Sequence, residues 1–90
     1  MTSTSSNQDT LDRWLTERVA YYTQRSPAEI DPATPLTDYG LDSVYALTLC
    51  GEMEDRLSIR LEPTVIWDHQ TIDELVVFLL GRVAATELAG

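Results

Sequence analysis

Three stretches of the chain place apolar residues at intervals of three and four. Leu11, Trp14, Leu15, Val19 and Tyr22 form the first, and Ala46, Leu49, Cys50, Met53 and Leu57 the second. Ile72, Leu75, Val76, Leu79, Leu80 and Val83 form the third. That spacing follows the helical turn of about 3.6 residues and gives each segment a single stripe to bury. Stripes of this kind are buried against one another, so the pattern predicts an all-α fold: a four-helix bundle of three main helices and one short one.

Local signals place the ends. Asp9 or Thr10 can cap the first helix. Ser26-Pro27-Ala28-Glu29 reads as a capping box with proline at the first helical position, so a short helical turn is expected inside the long connection that follows. Pro27, Pro32 and Pro35 break that connection, and Ile30, Leu36, Tyr39 and Leu41 are its candidate anchors to the core. The second helix is expected from Ser43 to Leu57, then an extended piece from Ser58 to Glu62. Pro63 starts a brief turn through Trp67, and Thr71-Ile72-Asp73-Glu74 is a second capping box opening the last helix. Residues 1–8 read as a flexible tail, 9–84 as one folded domain and 85–90 as a C-terminal tail.

Gly40-Leu41-Asp42-Ser43-Val44 sits where the long connection meets the second helix. A serine there is exposed, held by a rigid element and placed beside the positive end of a helix dipole, where phosphate is favoured. Nothing nearby in sequence would make it a nucleophile in its own right. Serine is also a favoured helix cap, but Asp42 can cap equally well and would leave the Ser43 hydroxyl free.

Charge narrows the partners. Fifteen acidic side chains oppose six arginines, with no lysine, for a net charge of −9. Such a chain lacks the basic groups that track a nucleic-acid backbone, and an anionic membrane surface would repel it. A hydrophobic fraction of 43% is too high for a disordered acidic tail. No apolar run approaches the length that spans a bilayer, and Met1 to Gln8 lacks the zones of a secretory signal, so a cytoplasmic location is expected. The single cysteine excludes an internal disulfide, and no Cys/His spacing suits zinc.

On the second helix, steps of about 100° put Val44, Thr48, Gly51 and Asp55 opposite the apolar stripe, with Leu47 and Glu54 on the shoulder. Seven acids and no base lie between Ser26 and Asp55. Val44, exposed among Asp38, Asp42, Glu52, Glu54 and Asp55, is the apolar centre of a face with a charged rim. The same acids would equally serve as a solubilising surface.

At these residues the chain resembles the acyl carrier proteins, and more narrowly the carrier domains of polyketide synthases. Asp38-Tyr39-Gly40-Leu41-Asp42-Ser43 is similar to that family's attachment motif, and Pro63 through Ile72 is similar to the segment before the last helix of polyketide carriers. The resemblance spans about Leu11 to Val83. It implies that Ser43 receives 4′-phosphopantetheine from coenzyme A through a separate phosphopantetheinyl transferase using magnesium. The arm's thiol would then carry acyl intermediates as thioesters to synthase enzymes such as a ketosynthase and an acyltransferase, on a monomeric protein with no catalysis of its own. It further implies partner contacts at Asp42, Val44, Leu47, Gly51, Glu54 and Asp55. Three positions depart from the family pattern: Val44 where leucine is commoner, Gly51 where a larger contact residue often sits, and Gln70 in place of a frequent proline.

Other readings use the same residues. A peptidyl carrier shares the chemistry, but such domains usually show glycine and histidine where Leu41-Asp42 stands. A fatty-acid carrier is disfavoured by the Pro63–Ile72 segment. An unmodified acidic adaptor needs only the second helix. A hydrolase would need Ser43, His69 and an aspartate, with an oxyanion hole that a small bundle does not evidently offer. His69 reads as loop bracing, Cys50 as a small buried hydrophobe, and Trp14, Tyr22, Tyr39 and Trp67 as core or core-edge residues.

Overall fold

The computed structural model of the chain describes residues 3–89, with side-chain surroundings over residues 8–85. Its order is α1 (Ser3–Thr23), two 3₁₀ turns (Pro27–Glu29 and Leu36–Tyr39), α2 (Ser43–Leu57), α3 (Val65–Asp68) and α4 (Ile72–Ala89). Among the described residues there is no strand, and the four-helix bundle expected from the stripes is what forms.

Each stripe is buried. Leu11, Leu15 and Val19 of α1 meet Ala46, Leu49, Cys50 and Met53 of α2 and Ile72, Leu75, Val76 and Leu79 of α4 in one continuous core. No polar or charged residue is buried among those described, so burial of apolar surface drives the packing without internal polar compensation. Leu57, Leu80 and Val83 pack at the edge.

The first and last helices reach further than the local signals placed their ends. Helix α1 starts at Ser3 rather than at an Asp9 or Thr10 cap, so residues 3–8 of the expected flexible tail are helical; Met1 and Thr2 lie outside the described residues. Helix α4 runs on to Ala89 where a tail was expected from residue 85, and Gly90 lies outside. Extending an existing helix adds one hydrogen bond per residue fixed, so a helix can outrun its apolar stripe unless a breaker intervenes. None stands between Ser3 and Asp9, or between Ala84 and Ala89.

The long connection is held at several points. Ile30, Leu36 and Leu41 are buried in the core and Tyr39 packs against that core, as expected of anchors. The Tyr39 hydroxyl accepts the Asp31 N–H at 2.6 Å, and the Leu36 and Asp73 N–H groups donate to the Gln70 and Pro32 carbonyls at 2.8 and 3.0 Å. At Pro27–Glu29 the Glu29 carboxylate accepts the Ser26 N–H at 2.9 Å, the return half of the expected box. Before α4, Thr71 Oγ1 accepts the Glu74 N–H while Glu74 reaches one residue further back, to the Gln70 N–H. Gly40, at φ 83°, takes the left-handed turn that launches α2, a conformation that costs a Cβ-bearing residue.

Trp67 departs from its expected core-edge place: it is 38% exposed, because the four residues of α3 turn Val65 and Ile66 inward and leave the next side chain outside. Cys50 is buried as expected, its Sγ 3.6 Å from the Glu62 carbonyl, and burial raises its thiol pKa. Helix α2 ends at Leu57, and the residue that caps it, Ser58, adopts the left-handed conformation at φ 56°.

Two substitutions read these features by denaturant unfolding. Leu49→Ala, at a fully buried site, is expected to cost about 2–5 kcal/mol. Ser58→Gly, which removes a Cβ from a left-handed residue, is expected to raise stability by up to about 1 kcal/mol. A destabilising Ser58→Gly would show that the serine hydroxyl, and not the backbone conformation, matters there.

Candidate functional site

Helix α2 begins with Asp42 in extended backbone, its Oδ1 accepting the Tyr45 N–H at 2.9 Å. The first intrahelical bond runs from the Ala46 N–H to the Asp42 carbonyl, also at 2.9 Å. Asp42 therefore carries the cap, and the hydroxyl of exposed Ser43 is not spent on it. The Ser43 and Val44 amides precede that first bond and sit at the positive helix end. A free hydroxyl beside such amides suits a phosphodiester, which carries one negative charge and accepts hydrogen bonds.

The face expected around Ser43 is only partly as read from the helical wheel. Val44 is 67% and Leu47 54% exposed, so both stand in water as anticipated. Gly51 is half-buried, and a Cβ built there meets nothing within 4 Å. Asp55 is exposed. Glu54 is half-buried, and its Oε2 accepts the Leu61 N–H at 2.7 Å, so its carboxylate is engaged within the molecule.

Glu52 is also engaged. Arg18 of α1 grips it with two hydrogen bonds of 3.0 Å, from Nε to Oε1 and Nη2 to Oε2. The Tyr22 hydroxyl donates to the same carboxylate and accepts from Arg18 Nη2 at 3.1 Å. At about 30% side-chain exposure this pair contributes roughly 1 kcal/mol or less, but it removes one acid from the surface charge available to partners.

Sequence reasoning missed Tyr45 and Tyr21. Tyr45, two residues after Ser43, is 40% exposed and stacks on Tyr22 with ring centroids 5.3 Å apart. Tyr21 is 67% exposed and meets Tyr22 edge-on, with the Arg18 guanidinium 4.8 Å from its centroid. The ledge joins α1 to α2, and no periodicity within either helix reveals it. His69 stacks on Phe78 at 4.3 Å and lines an open surface groove of about 420 Å³ with Asp73, Glu74 and Val77, which is the bracing part expected of it. Among the described residues no cluster of three His, Cys, Asp or Glu could hold a metal.

The family model described as "Phosphopantetheine attachment site" matches residues 13–79. The chain belongs to the phosphopantetheine-binding carrier family. Its cofactor is accordingly a covalently attached 4′-phosphopantetheine. The carrier domain is 33% identical over 79 residues to a phenolphthiocerol/phthiocerol polyketide synthase chain of Mycobacterium tuberculosis, covering 88% of this chain and 4% of that protein. It spans only 3% to 7% of the length of the first curated relatives, which are 6-methylsalicylic acid and polyketide synthases. Among solved structures it is similar to the acyl carrier protein LipD of Actinoplanes friuliensis, with TM-score 0.70 and 46% identity over 87% of each chain. A free-standing peptidyl carrier protein from Acinetobacter baumannii superposes with TM-score 0.78 at 36% identity, covering 82% of this chain and 92% of that one.

Two measurements follow from the cap and from the Arg18 network. Asp42→Ala is expected to cost about 1 kcal/mol of unfolding free energy, and Ser43→Ala less than about 0.5 kcal/mol, because only the first removes a cap. The Tyr22 hydroxyl has a raised pKa, first from burial and then from its bond to Glu52. A raised folded-state value favours the neutral phenol, so its contribution is complete below the ordinary tyrosine value of about 10 and is lost as pH rises through the raised one. Tyr22→Phe should therefore flatten the alkaline limb of the stability–pH curve, and an unchanged limb would show that Tyr22 does not couple to folding.

Proposed function

We propose that Ser43 is the attachment residue and that the loaded domain carries polyketide or related acyl chains between synthase enzymes. The observation that carries this reading is the division of labour at the start of α2: Asp42 takes the cap, and the adjacent hydroxyl is exposed, unspent and beside uncapped amides. The residues matched by the family model include it.

In the transfer, the Ser43 oxygen forms a bond to the phosphorus of the pantetheine side of coenzyme A. The pyrophosphate bond breaks, adenosine 3′,5′-bisphosphate leaves, and the serine proton passes to a base of the transferase. Once attached, the group supplies a thiol on a long flexible tether, where acyl chains are held as thioesters. The domain's own contribution is position. Asp42 fixes the start of α2, the core holds the helix rigid, and Val44 and Leu47 offer an apolar contact for whichever enzyme is visiting.

Polyketide cargo rests on the polyketide synthases among the relatives. The likeness to a peptidyl carrier favours an aminoacyl cargo as the second reading. A monomer acting in the cytoplasm, and partners including a phosphopantetheinyl transferase, a ketosynthase and an acyltransferase, complete the proposal. No helix among the described residues is long and apolar enough to cross a membrane.

Incubation with coenzyme A, magnesium and a promiscuous transferase tests the assignment. Intact mass is expected to rise by one phosphopantetheine in the wild type and not at all in Ser43→Ala. A wild-type mass that stays unchanged would overturn it, and ester turnover by the unmodified chain would favour a hydrolase instead. Mass spectrometry of protein from its producing cells reads the cargo directly, an acyl chain supporting the first reading and an amino acid the second.

A further inference from the structure

We propose that the tyrosine ledge between α1 and α2 is a binding groove for the domain's own cargo, and that the cargo it holds is a planar, oxygen-bearing ring rather than a straight saturated chain. The inference rests on the carrier reading and names the chemical class of the acyl group which that reading leaves open.

Three of the chain's four tyrosines meet at this one place. Tyr21, Tyr22, Gln24 and Tyr45 line an open groove of about 380 Å³, a size that small-molecule sites share. Its walls suit a ring. Tyr22 and Tyr45 are stacked with 26° between their planes, whereas Tyr21 stands at 72° to Tyr22. A planar guest can therefore lie flat along one wall and meet the other edge-on, the two arrangements that aromatic pairs prefer. A saturated chain gains burial there but neither arrangement.

The ledge is braced before any guest arrives. Arg18 holds Glu52 through two bonds, and Tyr22 donates its hydroxyl to the same carboxylate, which fixes the middle ring between α1 and α2. The guanidinium lies 4.8 and 5.0 Å from the Tyr21 and Tyr22 ring centroids. A site ordered in advance loses less of its binding energy to ordering. Tyr21 and Tyr45, both exposed, bring hydroxyls and exposed Gln24 an amide, the donors and acceptors that ring oxygens require.

Position supplies the rest. Ser43 and Tyr45 are about 3 Å apart along the axis of α2, two residues of helical rise. Cargo on an arm rooted at Ser43 stays near the ledge at high effective concentration, so contacts too weak to hold a free molecule suffice. Entry to the interior is costlier. Leu15, Leu49, Met53, Leu75 and Leu79 are fully buried, and a chain passing between them has to displace close-packed core.

The test loads the full chain from coenzyme A, para-hydroxybenzoyl-coenzyme A or butyryl-coenzyme A with a promiscuous transferase, intact mass confirming each arm. NMR follows the Tyr21 and Tyr45 resonances, and the rate of thioester cleavage by hydroxylamine reads shielding of the cargo carbonyl. The para-hydroxybenzoyl form is expected to shift both tyrosines relative to the bare-arm form. Its cleavage should be about two- to fivefold slower than that of free para-hydroxybenzoyl-pantetheine. The butyryl form should match the bare-arm spectrum and be cleaved as fast as free butyryl-pantetheine. Tyr21→Leu and Tyr45→Leu keep apolar bulk but remove a ring, and each should bring aryl cleavage back toward the free rate; Tyr21→Leu, at the more exposed site, disturbs packing least. Tyrosines that respond equally to both cargoes, or to the bare arm alone, would refute the preference for a ring. Unmoved tyrosines in the aryl form, or shielding that survives both substitutions, would refute the groove while leaving the carrier reading intact. A wild-type chain that accepts no arm would overturn the carrier reading and the groove with it.

Discussion

The bond from the Tyr45 N–H to the Asp42 carboxylate is the constraint around which the working end of this molecule is arranged. A helix needs its first amides satisfied, and the residue that satisfies them is committed to that bond. Here the commitment falls on the residue before Ser43. The serine consequently gains the rigidity and positive field of a helix terminus without surrendering its hydroxyl. Gly40 matters for the same reason: its left-handed turn delivers Leu41 to the core and Asp42 to the cap in consecutive residues.

Around that point the long connection between α1 and α2 is a structural element in its own right. Three buried side chains, a tyrosine hydroxyl and two backbone bonds to the start of α4 hold it. A loosely tethered connection would leave α2 free to shift against α4, and the serine with it. Loops of this length are costly to order, and apolar anchors at intervals are how a small domain offsets the cost.

The surface of α2 is less acidic in effect than in composition. Seven acids between Ser26 and Asp55 suggested a broad charged rim. Of those on the helix, Glu52 is neutralised by Arg18 and Glu54 is turned to a backbone amide. A formal charge count overstates the field a partner meets wherever carboxylates are spent on internal bonds. In place of part of that field stands a tyrosine ledge bridging α1 and α2, exposed beside the helix that bears Ser43.

Much of the fold and the centre of the site were legible in the amino-acid order, because they depend on local or periodic chemistry. The three stripes, the anchors at Ile30, Leu36 and Leu41, and the cap at Asp42 each follow from neighbours within a few residues. The helix ends at Ser3 and Ala89 were not legible, since polar and small residues extend a helix without signalling it. Side-chain partners were the least accessible. Arg18 and Glu52 lie 34 positions apart, and Glu54 meets Leu61 across a turn. Which acid is gripped and which is left to solvent depends on how α1, α2 and the segment before α3 approach one another, and that distance exists only once the core has packed.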